Sequence, residues 1–252
     1  MPNKPTSPKP LAKGDVAVVT GAAKRVGRAI GLALADDPQL DIVVHYGRSQ
    51  TEADQIVDDI RQLGRRSLAV AADLRQPTAA AATVFEAAAE LGPARLLVNC
   101  AAAFDDRKLA DIDEEHWHHQ FAINSLAPLM LSQQFAAQLP DGESGHIINL
   151  LDWRAIRPPD THPVYSASKA ALFSLTQSLA QQLAPAIQVN GIAPGAILPP
   201  PGRDDWHDQR AMDAIPLKRR GSPQDICNAV QYLAKSGFVT GEILHVSGGE
   251  HL

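Results

Sequence analysis

VVTGAAKRVGRAIG, residues 18–31, runs from an apolar stretch through a glycine turn into a helical pattern, and its reading decides the fold. Gly21 allows a sharp turn at the end of a strand, and Gly27 allows the following helix to pack close against that strand. The start of such a helix presents free N–H groups and the positive end of its dipole to an anion. The spacing is Gly21-x5-Gly27, with Arg25 where another glycine could stand, so this is not the G-x-G-x-x-G form. Alone, the pattern also suits a bare strand–helix turn. Its position at the first strand–helix junction favours a nucleotide phosphate cradle that includes Arg25 and Val26.

Outward from this turn, apolar runs of strand length recur at 15–20, 41–46, 67–72, 95–99, 146–151, 187–193 and 242–246. They are continuously rich in Val, Ile and Leu rather than alternating, as strands covered on both faces of a parallel sheet are. Helical stretches at 26–36, 50–63, 78–91, 124–139, 164–183 and 223–235 separate them. Alternating β and α predicts one α/β domain, a doubly wound Rossmann-type parallel sheet of about seven strands with helices on both faces. The domain is expected over residues 14–252, preceded by a solvated, disordered Pro-rich arm over 1–13. The Pro-rich segment 194–209 is too long for an ordinary connection, and its place after the sixth strand predicts a substrate lid over about 195–210.

Composition narrows the function classes. The 252 residues are 45% hydrophobic and 20% charged, an ordinary globular balance, and the net charge of −5 gives no basic stripe for nucleic acid. The start lacks an apolar run of signal-peptide length, and nothing approaches the roughly 18 apolar residues that would span a bilayer. The two cysteines, Cys100 and Cys227, fit a reducing compartment and form no metal pattern. A cytoplasmic protein without membrane, nucleic-acid or metal partners is expected.

The end of the second strand selects the nucleotide. An NAD site places a carboxylate there for the ribose 2′-hydroxyl. Asp41 lies instead at the start of that strand, about 16 Å from the relevant end. The end itself carries Tyr46, Arg48 and Ser49, and a guanidinium with a hydroxyl suits a 2′-phosphate, so NADPH is favoured.

Tyr165 and Lys169, in VYSASK, are four residues apart and share one face of a helix. A free tyrosine titrates near 10, and an adjacent ammonium would make it a better acid. With TGAAKRVG, DL at 73–74, NCAAAF at 99–104, Asn124, NGIAPG at 190–195 and VSGG at 246–249, the chain resembles the short-chain dehydrogenase/reductases over about residues 14–250. The resemblance implies a nicotinamide-dependent oxidoreductase acting on a small molecule, often as a homotetramer. It implies adenine contacts at Asp73 and Leu74, and ribose-side contacts at Asn99, Ala101, Tyr165 and Lys169. Pro194, Gly195 and Ile197 would hold the nicotinamide end, and Asn124 would support a water path to the lysine.

The sequence departs from the common pattern thirteen residues before the tyrosine, where most members carry serine and this chain has Asp152. A carboxylate opposes an oxyanion on a carbonyl oxygen but can accept N–H groups and hold the proton that a reduced C=N bond takes up. One branch of the family shares this aspartate, the pteridine reductases, and AKR, HYGRS and the phenylalanine of NCAAAF extend the likeness. It implies that Arg25 bridges the cofactor phosphates and a pterin carbonyl. Phe104 would sandwich the flat ring, worth about 1 kcal/mol beyond burial. Leu198 and Trp206, in the expected lid, would join Asp152 and Tyr165 around the substrate. The alternatives are a carbonyl or 3-oxoacyl reductase of the same fold, and a non-catalytic NADPH sensor. EEHWHH at 114–119 lacks the i, i+4 spacing of a zinc pair and reads as a polar helix surface.

Overall fold

The computed structural model describes residues 9–105, 107–199 and 213–252. Seven strands form one parallel sheet: β1 Val16–Val19, β2 Asp41–Tyr46, β3 Ser67–Ala71, β4 Ala94–Asn99, β5 Gly145–Leu150, β6 Ile187–Pro194 and β7 Ile243–Val246. Their spatial order is β3-β2-β1-β4-β5-β6-β7, so the winding reverses between β1 and β4. Ligands in such sheets bind beyond the carboxyl ends of the strands at that reversal.

The helices are α1 Arg25–Asp36, α2 Gln50–Gln62, α3 Pro77–Ala88, α4 Glu114–Phe121, α5 Ala127–Gln138, α6 Pro163–Leu183 and α7 Pro223–Lys235. The continuous apolar runs are explained by the two cores they serve. Ala17, Val19, Ile42, Val44, Leu96 and Val98 face one core, shared with Ile30 and Leu34 of α1, Ile56 of α2 and Val230 of α7. Their neighbours Val18, Val43 and Leu97 face the other, with Val84 of α3, Leu131 and Phe135 of α5 and Ala180 of α6. Side chains alternate across a strand, so only a strand buried on both sides needs apolar residues at every step. Helix α7 starts with Ser222 as N-cap and Asp225 returning the bond, a reciprocal capping box followed by Pro223 at the first turn.

Three expectations are corrected. The arm does not extend to residue 13. Leu11 is buried in the first core, and the Lys9 N–H donates to Ser144 Oγ at 2.6 Å, so hydrophobic burial and a backbone bond tie down residues 9–13. Residues 1–8 lie outside the described residues. The helix expected over 124–139 is α5, but it starts at Ala127; residues 124–126 belong to a π turn over Ala122–Leu126 that joins α4 to α5. The polar helix 114–119 is not polar all round: His116 points inward and is 5% exposed, whereas His118 and His119 are exposed. Of the expected lid, residues 195–199 are described; the remainder, with Trp206, lies outside the described residues.

Candidate active site

A cavity of about 710 Å³ opens at the carboxyl ends of the strands, at the point where the winding reverses. One wall is the glycine turn. Gly21 has φ +65°, and a Cβ there would lie 3.0 Å from the Ala101 Cα. A Cβ on Gly27 would lie 2.3 Å from the Gly21 carbonyl oxygen, which forbids any side chain at that approach. Thr20 closes the turn from below, its Oγ1 accepting the N–H groups of Cys100 at 2.9 Å and Ala101 at 3.0 Å. Backbone forms the face of this concavity, with side chains bracing it from behind, and it fits the phosphates of a dinucleotide.

Asp152 follows β5 and Tyr165 and Lys169 lie in the first two turns of α6, so strand and helix bring the three together. The Tyr165 hydroxyl donates to Asp152 Oδ2 at 3.0 Å. Asp152 is held in turn by Arg154, whose backbone N–H donates at 2.9 Å and whose guanidinium lies at 3.2 and 3.3 Å. Burial drives the Tyr165 pKa well above that of an ordinary phenol; the charge of Asp152 and its hydrogen bond add to the rise, and Arg154 opposes it. The Lys169 Nζ donates to the Leu150 carbonyl at 2.7 Å.

Burial pushes the Lys169 ammonium down to about 8, against smaller upward effects of Asp152 and Cys100. The folded value lies below the ordinary lysine value, so the charge is present below about 8 and is lost as pH rises through it. The expected result is a falling limb near pH 8 in kcat/KM for the cofactor, which reports the free enzyme. A flat profile from pH 7 to 10 would remove the ammonium from cofactor capture.

The remaining expected residues divide into two groups. Arg25, Val26, Phe104, Ile197 and Leu198 line the cavity with Pro194 and Gly195. Phe104 is half exposed, with one face stacked on His162 at 4.8 Å and Tyr165 set edge-on at 4.8 Å. Arg25 donates to the Pro199 carbonyl at 2.7 Å, which ties the glycine turn to the start of the expected lid. Outside the cavity stand Tyr46, Arg48 and Ser49 at the end of β2, and Asp73 and Leu74 after β3. Leu74 is a core residue. Asp73 is bonded to Arg75, which with lesser help from Arg48 lowers its carboxyl to about 2.

Two asparagines are held by bonds inside the protein. Asn99 donates to Asn149 Oδ1 at 2.8 Å inside the sheet. Asn124 is fully buried in the π turn. It accepts the Ala103 N–H and its amide faces the Ala103 carbonyl and Ser168 Oγ, each bond about 3 Å. It fixes the loop that carries Phe104 against the helix that carries Tyr165. Asp41 is buried with Arg65 and Arg66 at the amino end of β2, far from any ribose site.

Sequence reasoning missed Arg154 and Glu250. Glu250 reaches the cavity from the C-terminal segment and accepts the Ala196 N–H at 2.9 Å. Burial raises its carboxyl pKa, and no motif spacing announces it. Cys100 lines the cavity too, and burial pushes its thiol up to about 12. Among the described residues no cluster of three or more His, Cys, Asp or Glu could hold a metal ion, and no helix is long and apolar enough to cross a membrane.

A seven-stranded sheet wound in this order, a glycine cradle at its reversal and a Tyr-x3-Lys pair beside the cradle define a nicotinamide-type oxidoreductase fold. The chain belongs to the short-chain dehydrogenase/reductase family: the short chain dehydrogenase model matches residues 15–210. An uncharacterised oxidoreductase of Methylorubrum extorquens is 36% identical, covering 94% of this chain and 98% of its own. The 3-oxoacyl-[acyl-carrier-protein] reductase FabG of Staphylococcus epidermidis is 33% identical over the same shares. Among solved structures, FolM alternative dihydrofolate reductase 1 of Brucella canis, complexed with NADP, superposes with a TM-score of 0.86. It is 33% identical and covers 94% of each chain.

Proposed function

We propose that this oxidoreductase uses NADPH to reduce a C=N bond of a pteridine: a dihydropterin, a biopterin-like compound or a folate. The observation that carries the reading is the 3.0 Å bond from the Tyr165 hydroxyl to Asp152, both on the wall of the cavity. When bound, the nicotinamide supplies the hydride to the electron-poor ring carbon. Tyr165 Oη gives its proton to the adjoining ring nitrogen, and the Lys169 ammonium and the oxidised cofactor's positive charge would offset the burial that holds that proton on the phenol. Asp152, an acceptor of N–H groups, holds the ring's nitrogen edge, and Phe104 offers a half-exposed aromatic face to its plane. Lys169 Nζ, bonded to Leu150 O, is poised for the ribose hydroxyls.

The solved FolM relative with NADP supports both the cofactor and the substrate class. Arg48, exposed just after β2 in a stretch, Tyr46 to Ser49, that carries no acid, supports NADPH over NADH. Arg48→Ala is therefore expected to raise KM for NADPH about tenfold and leave KM for NADH nearly unchanged, as loss of one charge-assisted bond would. Parallel steady-state titrations with the two cofactors check this. Two free thiols suit a cytoplasmic setting, and the family likeness suggests a homotetramer, which light scattering would measure.

Turnover of 7,8-dihydrobiopterin and of ethyl acetoacetate with NADPH, side by side, tests the substrate class. Activity on the ketone alone would replace the pteridine reading with the second one, a carbonyl or 3-oxoacyl reductase. That reading is favoured by the FabG relative and by Arg154, which offsets part of the Asp152 charge that would oppose an oxyanion.

A further inference from the structure

His45 is used by neither the proton path nor the substrate reading, yet it is 2% exposed at the carboxyl end of β2, directly under the glycine turn. Its Nδ1 receives the Gly21 N–H at 3.2 Å, and its Nε2 lies 3.0 Å from the Ala72 carbonyl. Its own carbonyl takes the Ala22 N–H at 3.0 Å. A backbone N–H can only donate, so Nδ1 carries no proton. Nε2 must then carry one and donate to Ala72. Burial, opposed by the bond to Ala72, holds the imidazole pKa below its ordinary value and keeps the ring in this neutral form.

We infer that His45 is a positioning residue for the dinucleotide, a brace that fixes the phosphate turn at Gly21 against the end of β3 beside Asp73. The proposal rests on the nicotinamide dinucleotide being the cofactor, and not on the substrate. Three segments meet at this imidazole: the turn after β1, the last residues of β2 before Arg48, and the exit of β3. Each would face a different part of the same ligand. Gly21 has left-handed φ and no side chain to hold it, so its conformation depends on where its N–H and its neighbours are bonded. An acceptor and a donor on opposite edges of one rigid ring set the separation of Gly21 from Ala72. Neutral imidazole is the side chain that offers both in that arrangement.

The brace separates ground-state cofactor affinity from chemistry. His45→Leu removes both bonds and leaves the half-buried Gly21 N–H and Ala72 carbonyl without the imidazole. His45→Asn restores an acceptor, Oδ1, near the place of Nδ1 and gives up the reach to Ala72. The expected result is an NADPH Kd raised about 10- to 100-fold in His45→Leu, from loss of the two bonds that hold the turn in place. His45→Asn should recover most of that loss, and kcat at saturating NADPH should change less than about twofold in both. Cofactor fluorescence titration gives Kd, and thermal melts monitor folding.

Three outcomes would overturn the brace: His45→Leu binding NADPH like the wild type, His45→Asn binding no better than His45→Leu, or loss of kcat in step with Kd. Should the leucine variant fail to fold, long-range ¹⁵N spectra of the wild-type imidazole decide the matter. A proton on Nε2 alone supports the brace, and a proton on Nδ1 overturns it. Failure of the wild type itself to bind NADPH would instead overturn the cofactor reading, so the two failures are told apart.

Discussion

Tyr165→Phe is expected to lower kcat by about 10² to 10⁴, with the NADPH Kd moving less than about threefold. The substitution deletes one oxygen and keeps the ring that stands edge-on to Phe104 at 4.8 Å, so the cavity keeps its shape. Lys169 does not depend on that oxygen for its position, because its Nζ is anchored on the Leu150 carbonyl. Asp152 keeps the backbone and guanidinium bonds from Arg154 after the phenol is gone. What disappears is the proton that burial and Asp152 keep on Oη. Steady-state kcat beside a fluorescence titration of NADPH measures both numbers. Unchanged kcat would mean that the proton comes from elsewhere. A tight-binding, inactive variant that still supported every cellular role would point to the sensor rather than the enzyme.

The fold was legible because its strands need apolar residues at every step, a pattern that only double coverage produces, as Val18 and Val19 demonstrate by facing opposite cores. The glycine cradle was legible for a related reason: Gly27 stands where any Cβ would strike the Gly21 carbonyl. The trio was legible in part. Helical spacing put Tyr165 beside Lys169, and counting thirteen residues back reached Asp152, which does meet the phenol. Spacing could not say what Lys169 would bond. It grips a strand carbonyl, and its titration is governed by burial more than by the carboxylate nearby.

Other features depend on contacts between segments distant in the chain, and such contacts leave no local signature. Arg25 meets Pro199, Glu250 meets Ala196, and Lys9 meets Ser144. The inward face of α4 was hidden by composition, since its buried residues, His116 and Gln120, are polar while Trp117 is exposed, so no hydrophobic stripe reports its phase. The π turn that seats Asn124 was hidden as well, because a single widened turn between two helices alters no local helix propensity.

The second large effect is expected at Asp152. If the reacting atom is a ring nitrogen, Asp152→Ser should lower kcat/KM for 7,8-dihydrobiopterin by about 10- to 100-fold, the cost of leaving a substrate N–H without its buried acceptor. The same change should spare or improve ketone turnover, since a hydroxyl can donate to a carbonyl oxygen where a carboxylate cannot. The ratio of the two specificity constants is the sensitive quantity, because damage to folding or to cofactor binding lowers both and cancels. Arg154 makes the outcome sharper. Its guanidinium holds Asp152 from one side at 3.2 and 3.3 Å, so substitution leaves a positive charge facing the space that the carboxylate filled. That charge would favour an oxygen acquiring negative charge and disfavour a nitrogen being protonated, moving the preference further toward ketones. A ratio that stays constant on Asp152→Ser would mean that the carboxylate orients Tyr165 for either substrate and selects neither.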